Sequence, residues 1–238
     1  EVVQVAGHYQ QAVEACRLAV DQRGWYCRST AFNPHTAEGK KTVALEILEQ
    51  LGWHPPDAIL VSAGDGNIVS GIHRGLLDAQ AMGWLTTMPR IIAVQSSSAP
   101  ALYRAWMSGQ EAVSPYPANT IAEGINVSEP LDGFRALRAV RQTKGCFAVA
   151  DEARLAEATA LLARTAGLFA EPSSVVTVAA IPGLLATGAL RPGDRVVLVN
   201  TGNGLKDPSL ALTIGTQTNR LAAAGDLARV LDDIESRW

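Results

Sequence analysis

Three stretches, "AILVSA" (58–63), "RIIAVQ" (90–95) and "RVVLVN" (195–200), are nearly unbroken apolar runs in which polar positions do not alternate with hydrophobic ones. Such runs belong to strands buried on both faces. Between them the apolar residues recur at helical spacing, which predicts helices over His8 to Gln22, Thr42 to Leu51, Ile68 to Met82, Ala99 to Ser108, Leu131 to Gln142, Glu152 to Ala166 and Ser174 to Thr187. Further strands are expected at Val2 to Val5 and Phe147 to Ala150, and a closing amphipathic helix at Ala223 to Ser236. Strands interleaved with helices predict an α/β fold with a mostly parallel sheet flanked by helices. The polar, aromatic segment Gly24 to Lys41 reads as a loop, as does the Ser-, Pro- and Asn-rich stretch that follows Ser108.

The bulk numbers narrow the picture. The chain has 238 residues, 47% of them hydrophobic and 18% charged, enough for a substantial core in one large domain. A formal net charge of −3 lacks the basic footprint of a nucleic-acid binder. No apolar run approaches a bilayer span, so a membrane role is not expected. Cys16, Cys27 and Cys146 form no CxxC pair, which disfavours a disulfide framework or a metal centre and suits a reducing cytoplasm.

In parallel sheets of this kind ligands gather at the carboxyl ends of the strands. Two ends stand out. At the first, "VSAGDGN" puts Gly64, Asp65, Gly66 and Asn67 between a strand and a helix. Unpaired amides and a partial positive charge at a helix start, with no Cβ in the way, make a phosphate cradle. The lysine of a P-loop and the GxGxxG spacing of a dinucleotide fold are both missing. The plain alternative is that Asp65 or Asn67 caps the helix while the glycines turn the chain. At the second end, "NTGNGLKD" carries Thr201, whose hydroxyl can hydrogen-bond a ring nitrogen or a carbonyl, although the same residues also make good turns. Glu171 in "AEPSS" is either near the ligand or a plain helix start, and Ser96 in "QSSSAP" either faces the ligand or caps the next helix. Asn33, Thr36 and Glu38 read chiefly as capping and turn residues.

Taken together, "VSAGDGNIVSGIHRGLLDAQAMGWLTTMPRIIAVQ", "AGLFAEPSSV" and "VVLVNTGNGLKDP" resemble threonine synthase and its relatives among the fold type II enzymes that use pyridoxal phosphate, the tryptophan synthase β-like class. The likeness runs in register from about Glu1 to Leu212. It implies that Gly64, Asp65, Gly66 and Asn67 hold the phosphate of pyridoxal 5'-phosphate through backbone amides and that Thr201 meets its ring nitrogen. A neutral hydroxyl there leaves the ring a weaker electron sink than a carboxylate would, which suits elimination and replacement at the β or γ carbon of an amino-acid substrate. An acidic side chain at Asp65 would repel a phosphate, so it is expected to face away.

The lysine that bonds the cofactor in this family lies in a Ser-Phe-Lys-Asp-like motif. None of Lys40, Lys41, Lys144 and Lys206 sits in one: the first two read as solvated at a helix start, and Lys206 matches the lysine of "GLKD". The expectation is therefore the carboxyl two-thirds of an enzyme, with residues 1–23 a remnant of the small domain and 24–238 the cofactor-binding domain. An N-terminal fragment, a partner chain or self-association would complete it. The competing expectation is a lysine-less subunit that binds the phosphate ligand without turnover; serine/threonine dehydratase and cysteate synthase chemistry are further options in the family.

Overall fold

The computed structural model describes residues 2–212 except 8, 30, 31, 209 and 211. Four strands, β1 (Ala58–Ser62), β2 (Arg90–Ser96), β3 (Cys146–Ala150) and β4 (Val196–Leu198), form one parallel sheet in the order β3-β2-β1-β4. Every residue of β1 is buried, as a two-faced apolar run requires.

The two faces separate by alternation. Ile59, Val61, Ile91, Ala93 and Phe147 point to one side. There they meet α3 (Lys41–Gln50), α4 (Asn67–Ala81), α5 (Ala101–Met107) and α6 (Gly133–Gln142) through Leu48, Ile72, Leu76, Leu102 and Leu137. Ala58, Leu60, Ile92 and Val94 point the other way, against α7 (Leu155–Ala166) and α8 (Pro172–Ala186), whose Leu155, Val175, Val176 and Leu184 fill the second core. The remaining helices are α1 (Tyr9–Arg23) and α2 (Pro34–Gly39), with 3₁₀ turns at Glu123–Ile125, Glu152–Arg154 and Gly204–Lys206.

The α/β reading with a mostly parallel sheet holds, and two local expectations do not. Val2 to Val5 is not a strand: Val2 and Val3 are 95% and 81% exposed, and no strand among the described residues pairs with them. An apolar run forms a strand only where another supplies hydrogen bonds. The polar loop contains α2, a six-residue helix opened by Pro34 and capped by Asn33, whose side chain accepts from the His35 amide at 3.0 Å. The helix expected at Ala223 to Ser236 lies outside the described residues.

α4 leaves the end of β1 and packs closely on the α2–α3 junction. A Cβ on Gly75 would sit 2.6 Å from the Lys41 carbonyl, and one on Gly71 would collide with the Lys40 side chain. Small residues here let the junction lie low enough to bring Lys40 to the ligand end of the sheet.

Candidate active site

The end of β1 is anchored by the Ala63 amide, which donates to the Val94 carbonyl at 2.9 Å. Beyond it the backbone opens. Gly66 is the residue before α4 and has φ of 98°, a left-handed conformation in which side chains are strained. A Cβ on Gly64 would stand 3.0 Å from the Ile125 Cα, so the chain passes the 3₁₀ turn at backbone distance. The amides of Gly64, Asp65, Gly66 and Asn67 meet no acceptor among the described residues. Four bare donors at the positive end of a 15-residue helix constitute an anion cradle.

Asp65 does not cap α4. Its Oδ1 accepts from the Leu131 amide at 3.2 Å, its Oδ2 accepts from the Tyr9 hydroxyl at 3.2 Å, and its carbonyl accepts from the Asp132 amide at 3.1 Å. The carboxylate is thus turned toward the entrance of α6. Burial pushes its pKa upward, against the lowering effect of the Leu131 and Tyr9 hydrogen bonds. Tyr9, half-buried beside it, is pushed up to about 12, first by burial and then by the Asp65 charge, so it remains a hydrogen-bond donor.

The second strand end is built differently. The Val199 amide donates to the Leu60 carbonyl at 2.9 Å, after which the chain runs antiparallel to residues 169–171: the Glu171 amide donates to the Gly202 carbonyl at 3.0 Å and the Gly204 amide to the Phe169 carbonyl at 2.9 Å. This zipper buries Glu171 to 6% exposure against Thr201. Thr201 Oγ1 donates to Glu171 Oε1 at 2.9 Å, and Lys206 Nζ pairs with Glu171 Oε2 at 2.7 Å. Ser174 Oγ accepts from the amides of Thr201 and Gly202 at 2.9 and 3.1 Å and lies 2.8 Å from Thr201 Oγ1. A Cβ on Gly202 would lie 2.5 Å from the Glu171 carboxyl carbon, so glycine makes room for the acid.

Both strand ends open into one cavity of about 510 Å³. Gly64, Asp65, Gly66 and Asn67 line it together with Thr201 and Glu171. Glu171 is thus both the residue that opens α8 and part of the cavity wall.

Ser96 is not part of this wall. It donates to the Glu152 carboxylate and accepts from the Ser98 amide at 3.0 Å. Glu152, held also by Thr120 and the Ile121 amide, draws the hydroxyl toward the 3₁₀ turn after β3. Lys40 is not simply solvated: it lines the cavity, and its pKa is lowered, chiefly by burial. Lys41, in contrast, pairs with Glu38 at 2.5 Å and Asp78 at 2.6 Å. Asn33, Thr36 and Glu38 keep to capping and ion-pair roles around α2. Tyr9, Ser173 and the Glu123–Ile125 turn also line the cavity and had no local signal, because each arrives through long-range folding.

The description "Pyridoxal-phosphate dependent enzyme" belongs to a family whose sequence profile matches residues 1–202. The chain belongs to that family. Its cofactor is pyridoxal 5'-phosphate. A threonine synthase of Methanocaldococcus jannaschii is 31% identical over 213 residues, 89% of this chain and 52% of that protein. One from a Bacillus species is 31% identical over 237 residues, 99% of this chain and 62% of the relative. The chain therefore spans about half the length of the curated relatives it matches. Among solved structures, Escherichia coli threonine synthase superposes with a TM-score of 0.70 at 19% identity, covering 93% of this chain and 51% of that one. A tomato threonine deaminase isoform does so with 0.71 at 16%, covering 92% and 60%. These two likenesses establish the fold type II architecture of the family.

Proposed function

We propose that this chain forms the cofactor-holding part of a threonine synthase-like enzyme that carries out elimination and replacement at the β or γ carbon of an amino acid. The single observation that carries the reading is the shared cavity, with bare amides at one strand end and a hydroxyl at the next.

The residues present fit the cofactor. The amides of Gly64 to Asn67 hold its phosphate, each charge-assisted hydrogen bond contributing about 1.5–3 kcal/mol. Asp65 tolerates that anion because its oxygens are turned to Leu131 and Tyr9. Thr201 addresses the ring nitrogen. Lys40 adds a cation to the same wall for an anionic group of the ligand or substrate. When bound, pyridoxal phosphate supplies an electron sink for charge developing at the substrate α carbon.

The covalent lysine comes, on this reading, from polypeptide outside these 238 residues. Lys206 is held by Glu171 and Lys41 by Glu38 and Asp78. Lys144 follows the end of α6, and Lys40 lies on the wall near the phosphate loop. The similarity to threonine synthases favours phosphohomoserine as substrate and threonine as product.

The test begins with equilibrium dialysis of the full chain against pyridoxal phosphate. Saturable binding is expected, and absence of binding overturns the proposal. Borohydride treatment of the complex and mass spectrometry should leave all four lysines unmodified; a reduced adduct on Lys40 or Lys206 would show that the covalent lysine is in this chain. Adding an N-terminal segment from a related threonine synthase should then yield threonine and phosphate from phosphohomoserine. Ketoacid release from serine or threonine instead would move the enzyme to the dehydratases, and cofactor binding without turnover would leave a binding subunit.

A further inference from the structure

We propose that Glu171 is a positioning residue that fixes the hydrogen-bonding polarity of Thr201, making the strand-end hydroxyl an acceptor that selects the protonated, cationic form of the ring nitrogen. This rests on the cofactor reading above and adds to it the charge state in which the ring is held.

Hydrogens and lone pairs decide the polarity. A serine hydroxyl has one proton and two lone pairs. Both lone pairs of Ser174 Oγ are taken by the amides of Thr201 and Gly202, so its proton goes to Thr201 Oγ1, 2.8 Å away. Thr201 Oγ1 in turn spends its own proton on Glu171 Oε1 at 2.9 Å. Glu171, a carboxylate whose other oxygen pairs with the Lys206 ammonium at 2.7 Å, has no proton to return. The chain of donors runs one way, from Ser174 through Thr201 to Glu171. What Thr201 has left for the cavity is one lone pair.

An unprotonated pyridine nitrogen also offers only a lone pair, and two acceptors facing each other repel. A pyridinium N–H satisfies Thr201 and places its positive charge one hydroxyl away from a buried carboxylate. Thr201 then transmits the preference of an acid, and the weaker-sink expectation for a bare hydroxyl is reversed. The isosteric change Glu171→Gln inverts the wiring. Lys206 would claim the oxygen of the new carboxamide, leaving the carboxamide NH₂ group to donate to Thr201, whose proton becomes free to face the ring.

The measurement is the ¹⁵N chemical shift of ring-labelled pyridoxal phosphate, free and bound to the full chain, followed over the same pH series. Bound to the wild-type protein, the nitrogen should keep its proton to higher pH than in the free cofactor, with the proton held at least about tenfold more tightly, one pH unit. In Glu171→Gln this gain should vanish. Lys40, Asp65, Glu123 and Lys206, the other charged residues on the cavity wall, are common to both proteins, so the difference isolates Glu171. Should Glu171→Gln fail to fold, Thr201→Val removes the acceptor itself and should abolish the gain as well. A wild-type nitrogen that loses its proton at or below the pH of the free cofactor overturns the inference and leaves the cofactor reading intact. So does a gain unchanged in the variant. The absence of any bound signal overturns both.

Discussion

The two strand ends that share the cavity solve opposite problems. At the end of β1 the backbone is left unsatisfied, with four amides and no acceptor among the described residues. At the end of β4 hydroxyls, a carboxylate and an ammonium satisfy one another and leave one lone pair of Thr201 for the cavity. An open set of donors reads total negative charge and is indifferent to the detailed shape of the anion. A saturated network has one polarity and responds to where a proton sits. On the proposed reading, affinity and electronic selectivity fall to different strands of one sheet.

Substitutions can break that division, and the largest effect is expected at the open end. Gly64→Val would drive a branched side chain into the Ile125 backbone, where a Cβ alone already stands at 3.0 Å. Losing two phosphate-holding amides would cost about 3 kcal/mol, roughly a hundredfold in pyridoxal phosphate affinity by titration calorimetry. At the saturated end, Thr201→Val should weaken affinity only about tenfold, since one hydrogen bond is lost and the phosphate grip stays. If the two losses are equal, the division of labour is wrong.

A third substitution separates stability from binding. His73, on α4 behind the open end, is buried, and its Nε2 has no hydrogen-bond partner. Burial, aided by Arg138, lowers its pKa below 6.5. The unfolded chain therefore takes up a proton that the folded one refuses, and stability falls as the pH drops below 6.5 toward the folded-state pKa. His73→Leu should remove that slope and add about 1 kcal/mol at neutral pH in denaturant unfolding, with cofactor affinity unchanged. The smallest effect is expected for Asp65→Asn. Removing a carboxylate from the phosphate loop while keeping an acceptor for Leu131 should raise cofactor affinity about threefold, and a decrease would mean that the charge is needed.

Much of this was legible from the residues. β1, β2 and α4 followed from apolar periodicity, because burial on two faces leaves no alternation to confuse with a surface strand. The glycines of residues 64–66 marked a close approach without showing that the neighbour is Ile125. Ser96 left two readings open because a hydroxyl at a strand end looks the same whether it faces a ligand or a carboxylate such as Glu152, and the choice is made by a residue 56 positions away. Glu171 carried the signal of a helix start and served two roles at once. Lys40 looked solvated because the glycines on α4 that seat it belong to another segment. Val2 to Val5 shows the converse: the pattern of a strand is present, and no strand among the described residues pairs with it.

The register between β1 and β4 has a consequence for biogenesis. Ile59 pairs with Val197, so β4, the last strand among the described residues, closes beside β1, the first. On a ribosome adding roughly 5–20 residues per second, the glycine loop is synthesised about 7 to 27 seconds before Thr201 exists. On the proposed reading the nascent chain carries half of the cofactor cradle until β4 docks, and the ring can be held only once that three-residue strand is in place.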